Sequence, residues 1–353
     1  MAFARSALGA AALGAASLAA WQGVRRLQEA DLDGHVAIVT GASRGLGLLI
    51  ARELLREGCS VAICARTETD LQRARDALRE HARSGREAYA APCDDSDRAQ
   101  VERFIGQVTQ RFGRVDVLVN NAGIIQVGPL RRMTHQDFER AMAVMYWGVV
   151  YPTLALLPQL LERRAGRILN VTSIGGKAPV AHLAPYCAAK FAATGFSEGL
   201  RLELAKYGVT VTTICPGLMR TGSHLQAEFK AGDAREFAGF APLASWPGIS
   251  MDAERAARQI VRALKRGDAE HTLSLPATLL ARAHGLFPGL VTDAMAVANR
   301  VLPDADAEGM AATPVNEPGM AIQERLDSRL LERATAWGLD AARRFNQLGR
   351  KAA

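Results

Sequence analysis

"HVAIVTGASRGLG", residues 35–47, sets the architecture of the chain. Its first half is a short apolar run rich in Val and Ile, the pattern of a strand buried on both faces. Its second half places Gly41, Gly45 and Gly47 in a turn that runs directly into a helical pattern at 46–57. Glycines there let backbone N–H groups approach a pyrophosphate, and the helix N-terminus behind them adds partial positive charge. A lone glycine triplet is weak evidence. Between a buried strand and a helix it marks the opening of a dinucleotide-binding βαβ unit.

The alternation continues downstream. Residues 60–65, 115–120, 166–172 and 209–215 read as buried strands, with 87–92 and 271–275 as weaker ones. Helical patterns occupy 46–57, 68–82, 95–112, 134–161, 186–207 and 252–266. This order predicts a single Rossmann-like, doubly wound α/β domain over 34–275, with a parallel sheet of about seven strands. Beyond Pro276 the alternation stops, and 276–353 read as a C-terminal helical extension. It holds an apolar stretch at 278–302, interrupted by Pro288, and a final helix. In that helix Ile322, Leu326, Leu330, Ala334, Trp337, Ala341, Phe345 and Leu348 recur every three or four positions. Such a stripe predicts a docking face.

Of 353 residues, 49% are hydrophobic and 22% charged, an ordinary globular balance. The net charge of +7 comes from Arg residues dispersed among acids. No basic block with interleaved aromatics occurs, which argues against a nucleic-acid surface, while the balance suits an anionic cofactor. Cys59, Cys64, Cys93, Cys187 and Cys215 show no C-x-x-C spacing. They read as buried thiols in a reducing compartment, with neither a disulfide framework nor a metal site. Residues 1–30 are different. The stretch 6–24 carries no charge and is flanked by Arg5 and by Arg25-Arg26, and it is long enough to span a bilayer. Ala and Gly dominate it, so insertion is only weakly driven. A weak membrane anchor, a cleaved export signal and an Ala-rich helix packed on the domain all stay open; export fits poorly with five unpaired cysteines. If the stretch inserts, the paired Arg residues keep the main domain cytoplasmic.

The choice of dinucleotide turns on the second strand. It ends at Ala65-Arg66, with no carboxylate to hold a ribose 2′-hydroxyl. Arg44, inside the glycine loop, is also cationic. Two guanidinium groups suit a 2′-phosphate, so NADP(H) is favoured over NAD(H).

With these features together, the sequence resembles the short-chain dehydrogenase/reductase family over residues 34–275. "TGASRGLG" (40–47), "NNAG" (120–123), Ser173 thirteen residues before Tyr186, "YCAAK" (186–190) and "PG" (216–217) match its motifs in order. The resemblance implies cofactor contacts from Gly41, Ser43, Arg44, Gly45, Leu46, Gly47, Arg66, Asp94, Asn120, Ala122, Gly123, Pro216, Gly217 and Thr221. It makes Ser173, Tyr186 and Lys190 the catalytic residues, the last two also touching the cofactor. In that scheme Tyr186 is the acid/base, and Ser173 holds the substrate oxygen. Lys190 and the positive nicotinamide lower the phenol pKa from its usual value near ~10. Lys190 also hydrogen-bonds the nicotinamide ribose. One position departs: where the family usually places an Asn that holds a relay water, this chain has Met145. Either the relay runs differently, through Tyr146 or waters on backbone carbonyls, or the chain retains the cofactor fold with little chemistry.

Specificity is expected from 218–250 and 278–302, with Phe229, Phe237, Phe240, Trp246 and Phe287 lining an apolar pocket. The substrate is then a small apolar carbonyl compound or alcohol, and a homo-oligomer is expected. Two other functions stay open: a catalytically quiet cofactor-binding regulator, and a membrane-held scaffold.

Overall fold

The computed structural model describes residues 29–230, 233–303 and 316–348, with Gly23. The expectation for residues 6–24 therefore falls outside the described residues, apart from that glycine. In chain order the domain begins with β1 (Val36–Thr40), α1 (Gly45–Arg56), β2 (Ser60–Ala65), α2 (Glu68–Arg79), β3 (Ala88–Pro92), α3 (Arg98–Phe112) and β4 (Val117–Asn120). A short β5 (Gln126–Val127) precedes α4 (His135–Met142) and, after a π turn at Ala143–Trp147, α5 (Gly148–Arg163). Then come β6 (Gly166–Val171), α6 (Ala184–Leu204), β7 (Val209–Pro216), β8 (Met219–Arg220), β9 (Glu228–Lys230), α7 (Ala234–Ser245), β10 (Met251–Asp252), α8 (Ala253–Arg266) and β11 (Glu270–Leu273). The extension holds α9 (Leu275–Leu286), α10 (Pro288–Asn299), β12 (Asn316–Pro318), α11 (Gly319–Leu326) and α12 (Arg329–Arg344).

Seven strands form one parallel sheet in the order β11-β7-β6-β4-β1-β2-β3. All of β1 is buried, as a central strand of a two-sided sheet must be. One core layer joins the sheet to α1, α2 and α8 through residues such as Leu54, Leu71 and Ile260. The other joins it to α3, α5 and α6 through Phe104, Leu156 and Leu200. The run His135–Arg163 is long and apolar enough to cross a membrane. Its apolar residues are those of a core helix, for Leu156 and Leu160 lie against the sheet.

Strand order reverses between β1 and β4, which opens a crevice at their carboxyl ends. The two ends are tied together there. Asn121 Nδ2 donates to the carbonyls of Thr40 (3.0 Å) and Gly41 (3.1 Å). Thr40 Oγ1 in turn accepts from the N–H groups of Asn121 and Ala122. The close approach needs glycine. A Cβ on Gly47 would lie 2.7 Å from Gly41 O and 2.4 Å from Asn121 Nδ2.

The extension covers the crevice end. β9 pairs with β5 and β12 in a small sheet. Val127, Phe229, Phe237, Ala241 and Ile322 form a satellite core beneath it. The final helix departs from the predicted single stripe. It breaks at Asp327 (φ 37°) into α11 and α12. The face that α12 buries is Thr335, Gly338, Ala341 and Ala342, continued by Phe345, whereas Leu330 and Trp337 are 79% and 52% exposed. Small residues face inward because α12 packs tightly on α7: a Cβ on Gly338 would meet Ser245 Oγ at 2.3 Å. Counting only large apolar residues hides that face.

Gly47→Ala is expected to cost about 1–3 kcal/mol, because the colliding atoms include rigid backbone. Urea unfolding checks the figure; an unchanged midpoint would show that the loop can yield.

Candidate active site

The crevice opens into one cavity of about 920 Å³ that runs from the glycine loop to the extension. At its first end Gly41 adopts φ +59°, and a Cβ there would sit 2.7 Å from Ala122 Cα. Arg44 and Arg66 both line this end. Burial lowers the Arg44 pKa; Asp70, 3.5 Å away, opposes the shift, and the nearby positive charge of Arg66 adds to it. Two like charges held close on the same wall form a receptive place for an anion. Ser43, Gly45, Leu46, Gly47 and Asp94 line the same end. Asp94 is held by Ser96, whose backbone N–H (3.0 Å) and hydroxyl (2.6 Å) donate to its carboxylate.

A strap from the end of the chain braces the loop. Phe345 O accepts from Gly45 N (2.8 Å), so that N–H points to the strap. Asn346, at φ +58°, donates to Ser43 O (2.6 Å) and Asp70 O (3.2 Å). Gln347 O accepts from Gln226, and Arg73 donates to Leu348 O. Nothing in the sequence motifs announces this strap. Phe345 stands out there only as part of an apolar stripe.

Deeper in the cavity stand Ser173, Tyr186 and Lys190. Tyr186 and Lys190 share one face of α6 because they are four residues apart. Ser173 caps a turn at the end of β6, where its Oγ accepts from Gly175 N (3.0 Å) and bonds to Tyr186. Desolvation pushes the Tyr186 phenol up to about 12, against the Ser173 hydrogen bond. Lys190 Nζ donates to Val171 O (2.9 Å) and lies 6.0 Å from the Tyr186 ring centre. Burial brings its pKa down to about 8. In the protein alone, then, desolvation outweighs any lowering of the phenol pKa by Lys190. Met145 is wholly buried in the π turn, packed with Ala141 and Ala189. Its Sδ would stand 3.9 Å from a Cβ on Gly123, and Lys190 Nζ 3.7 Å. Tyr146 does not line the cavity; its ring packs on Trp147 and Phe196.

Ala122, Gly123, Pro216, Gly217 and Thr221 also line the cavity. Asn120 does not. Its side chain points into the core, donating to Thr153 Oγ1 and Asn170 Oδ1, and its neighbour Asn121 lines the cavity instead. Successive residues at a strand end face opposite ways, and the pair "NN" offers no means of choosing.

Away from the glycine loop the apolar lining is largely aliphatic, and His182, Glu228, Arg235 and Glu236 line the cavity as well. Phe240 lines it, together with Ile125, Leu183, Leu218, Leu243 and Leu280. Phe229 and Phe237 are fully buried in the satellite core, and Trp246 and Phe287 are exposed, so four of the five expected aromatics lie elsewhere. Two acid–base pairs carry no motif in the sequence. Arg140 clamps Glu228 through both nitrogens, and His182 bonds Glu236 across the gap between the loop before α6 and α7.

A family model described as short chain dehydrogenase matches residues 35–231. The chain belongs to the short-chain dehydrogenase/reductase family. A Streptomyces coelicolor protein provisionally named a ketoacyl reductase is 42% identical over 194 residues, covering 54% of this chain and 73% of its own length. Human dehydrogenase/reductase SDR family member 7 is 37% identical over 201 residues, 56% of this chain and 59% of that protein. The crystal structure of a variant actinorhodin polyketide ketoreductase with NADPH superposes with a TM-score of 0.58 at 31% identity. The match covers 69% of this chain and 97% of the ketoreductase. The family model ends at residue 231, before the extension.

The strap has a separable test. Asn346→Gly keeps the left-handed backbone and removes only the two side-chain hydrogen bonds, so it is expected to cost about 1 kcal/mol. Asn346→Ala adds backbone strain and should cost more. Denaturant unfolding of the two variants checks the order.

Proposed function

We propose that this protein is an NADP(H)-dependent oxidoreductase that interconverts a carbonyl group and a secondary alcohol on an apolar small molecule. The observation that carries this reading is the single cavity: two guanidinium groups at one end, Ser173–Tyr186–Lys190 in the middle, and mainly aliphatic walls beyond them, interrupted by the paired His182–Glu236 and by Glu228. A dinucleotide fits the first part, where Gly41, Ser43, Gly45 and Gly47 line the cavity at the start of α1. Arg44 and Arg66 would hold the 2′-phosphate; the glycine loop, Asp94, Ala122, Gly123, Pro216, Gly217 and Thr221 would line the rest. When bound, NADPH supplies the hydride that reduces the carbonyl carbon.

The residues of this chain manage the oxygen. Ser173 donates to it and fixes its position beside Tyr186. A phenol near 12 is protonated at neutral pH, so Tyr186 is poised as a proton donor, which favours reduction. As the alkoxide forms, the phenol passes its proton to that oxygen. The Lys190 ammonium then stabilises the phenolate left behind. Its pKa of about 8 keeps it mostly protonated at pH 7. Since Met145 has no amide to hold a water behind Lys190, the lost proton is resupplied from the cavity side.

A second reading rests on that same residue: a cofactor-binding protein with little turnover, because a thioether cannot replace the amide. It predicts NADPH binding without NADPH oxidation across ketones and aldehydes. On that reading Met145→Asn would raise turnover.

Three outcomes are expected on the first reading. Tyr186→Phe lowers kcat roughly 10²- to 10⁴-fold while NADPH still binds; survival of full activity removes Tyr186 as donor. Arg44→Ala with Arg66→Ala weakens NADPH about tenfold or more relative to NADH, measured by fluorescence titration. Reductase activity falls as pH rises through about 8, where Lys190 loses its proton. A profile flat to pH 10 would contradict this role for Lys190.

A further inference from the structure

The hairpin of α9 and α10 has an outer surface that the rest of the fold does not use. No residue of α10 is buried, and in α9 only Ala277 is. Yet Leu275, Leu279, Leu286, Phe287, Leu290 and Val297 are between 59% and 73% exposed. A helix that is apolar on most sides belongs in a protein core or in lipid, and α10 is in no core. Single exposed apolar side chains need no explanation; a cluster concentrated on one hairpin marks an interaction site.

Several observations select what covers it. The inner side of the hairpin, through Leu280 and Met295, lines the cavity, so the apolar surface continues into the mouth of the site. Leu243 on α7, 46% exposed, lines that cavity as well. Arg282 and Arg300 on the hairpin are exposed, against one acid, Asp293, and the chain carries +7. A second copy would bring another surface with more cations than acids onto this one and close the mouth. Residues 304–315, which follow, carry Asp304, Asp306 and Glu308 and few large apolar side chains, so they make a poor cover. The hairpin springs from β11, an edge strand of the sheet. Ala30, near the start of the described chain, bonds to Lys265 at the end of α8, the helix that leads into that strand.

We infer that the α9–α10 hairpin docks on the surface of an anionic phospholipid bilayer, with Phe287 at its tip. Acyl chains take the place of a protein core around Leu286, Phe287 and Leu290, while lipid phosphates meet Arg282 and Arg300. The cavity mouth then opens towards the acyl region, so an apolar substrate reaches the site without crossing water. Docking does not depend on the redox reading; only this delivery does.

The test uses the full chain carrying Phe287→Cys, labelled with an environment-sensitive nitrobenzoxadiazole dye; the five native cysteines are buried. Vesicles of phosphatidylcholine, with and without phosphatidylserine, are titrated in. The expected result is a blue shift with an intensity gain of about twofold or more on the anionic vesicles, reduced at high salt. Adding Leu286→Asp and Leu290→Asp abolishes the shift. No shift from a chain that co-sediments with vesicles places the contact elsewhere and overturns the proposal. Emission already blue-shifted before lipid is added shows the hairpin covered by a second copy or by the chain's own segments, and overturns it too. A loss of NADPH oxidation would leave this readout unchanged, so the two proposals fail separately.

Discussion

The hydrogen bonds between Asn121 and the Thr40–Gly41 turn hold the site together. They fasten the ends of β1 and β4, the two strands between which the sheet reverses order. Because the tie is made to backbone carbonyls, it depends on close approach, and close approach depends on Gly41 and Gly47 having no side chain. The cofactor end and the centre of the cavity are positioned from that point. The glycine loop leaves β1 there, Ala122 and Gly123 leave β4, and Ser173 and Pro216 lie at the ends of the next two strands, β6 and β7.

The sheet and the centre of the site were legible because their signals are local and periodic. Five of the seven strands stand on runs that carry Val or Ile, whereas β3 (AYAAP) and β11 (EHTL) hold neither residue, which is why 87–92 and 271–275 read as the weaker strands. Tyr186 and Lys190 meet through helical spacing alone. The extension was harder to read for a physical reason. Tight packing of α12 selects small residues: Gly338 lies against Ser245 of α7 and Ala342 against Gly222, while Trp337 faces outward. Of the predicted stripe Ile322, Ala341 and Phe345 are buried, while Leu330 and Trp337 are exposed because Thr335 and Gly338 take the contact. The strap at 345–348 works through backbone carbonyls and one asparagine, which no side-chain pattern reveals. The aromatics of 218–250 read as pocket walls in the sequence. Phe229 and Phe237 instead build the small core that supports the cover, leaving aliphatic side chains to shape the cavity.

Burial sets the chemistry of the central residues in opposite directions. It raises the phenol of Tyr186 and lowers the ammonium of Lys190, because each prefers its neutral form away from water. A proton donor and a readily discharged cation thus stand side by side before any cofactor arrives. Met145 extends the same dry environment beneath Lys190, where a more polar residue would admit water. The protein's particular character lies in that dry floor, together with a cavity mouth framed by an exposed apolar hairpin.

The central claim is hydride transfer, and isotope transfer tests it most directly. The protein would be incubated with NADPH deuterated at the nicotinamide C4 and a panel of apolar ketones and aldehydes, and the alcohols examined by mass spectrometry. The account predicts one deuterium on the carbinol carbon of at least one product, formed at a rate lower by roughly 10²- to 10⁴-fold when Tyr186 is replaced by Phe. NADPH that binds yet delivers no deuterium to any carbonyl would contradict it.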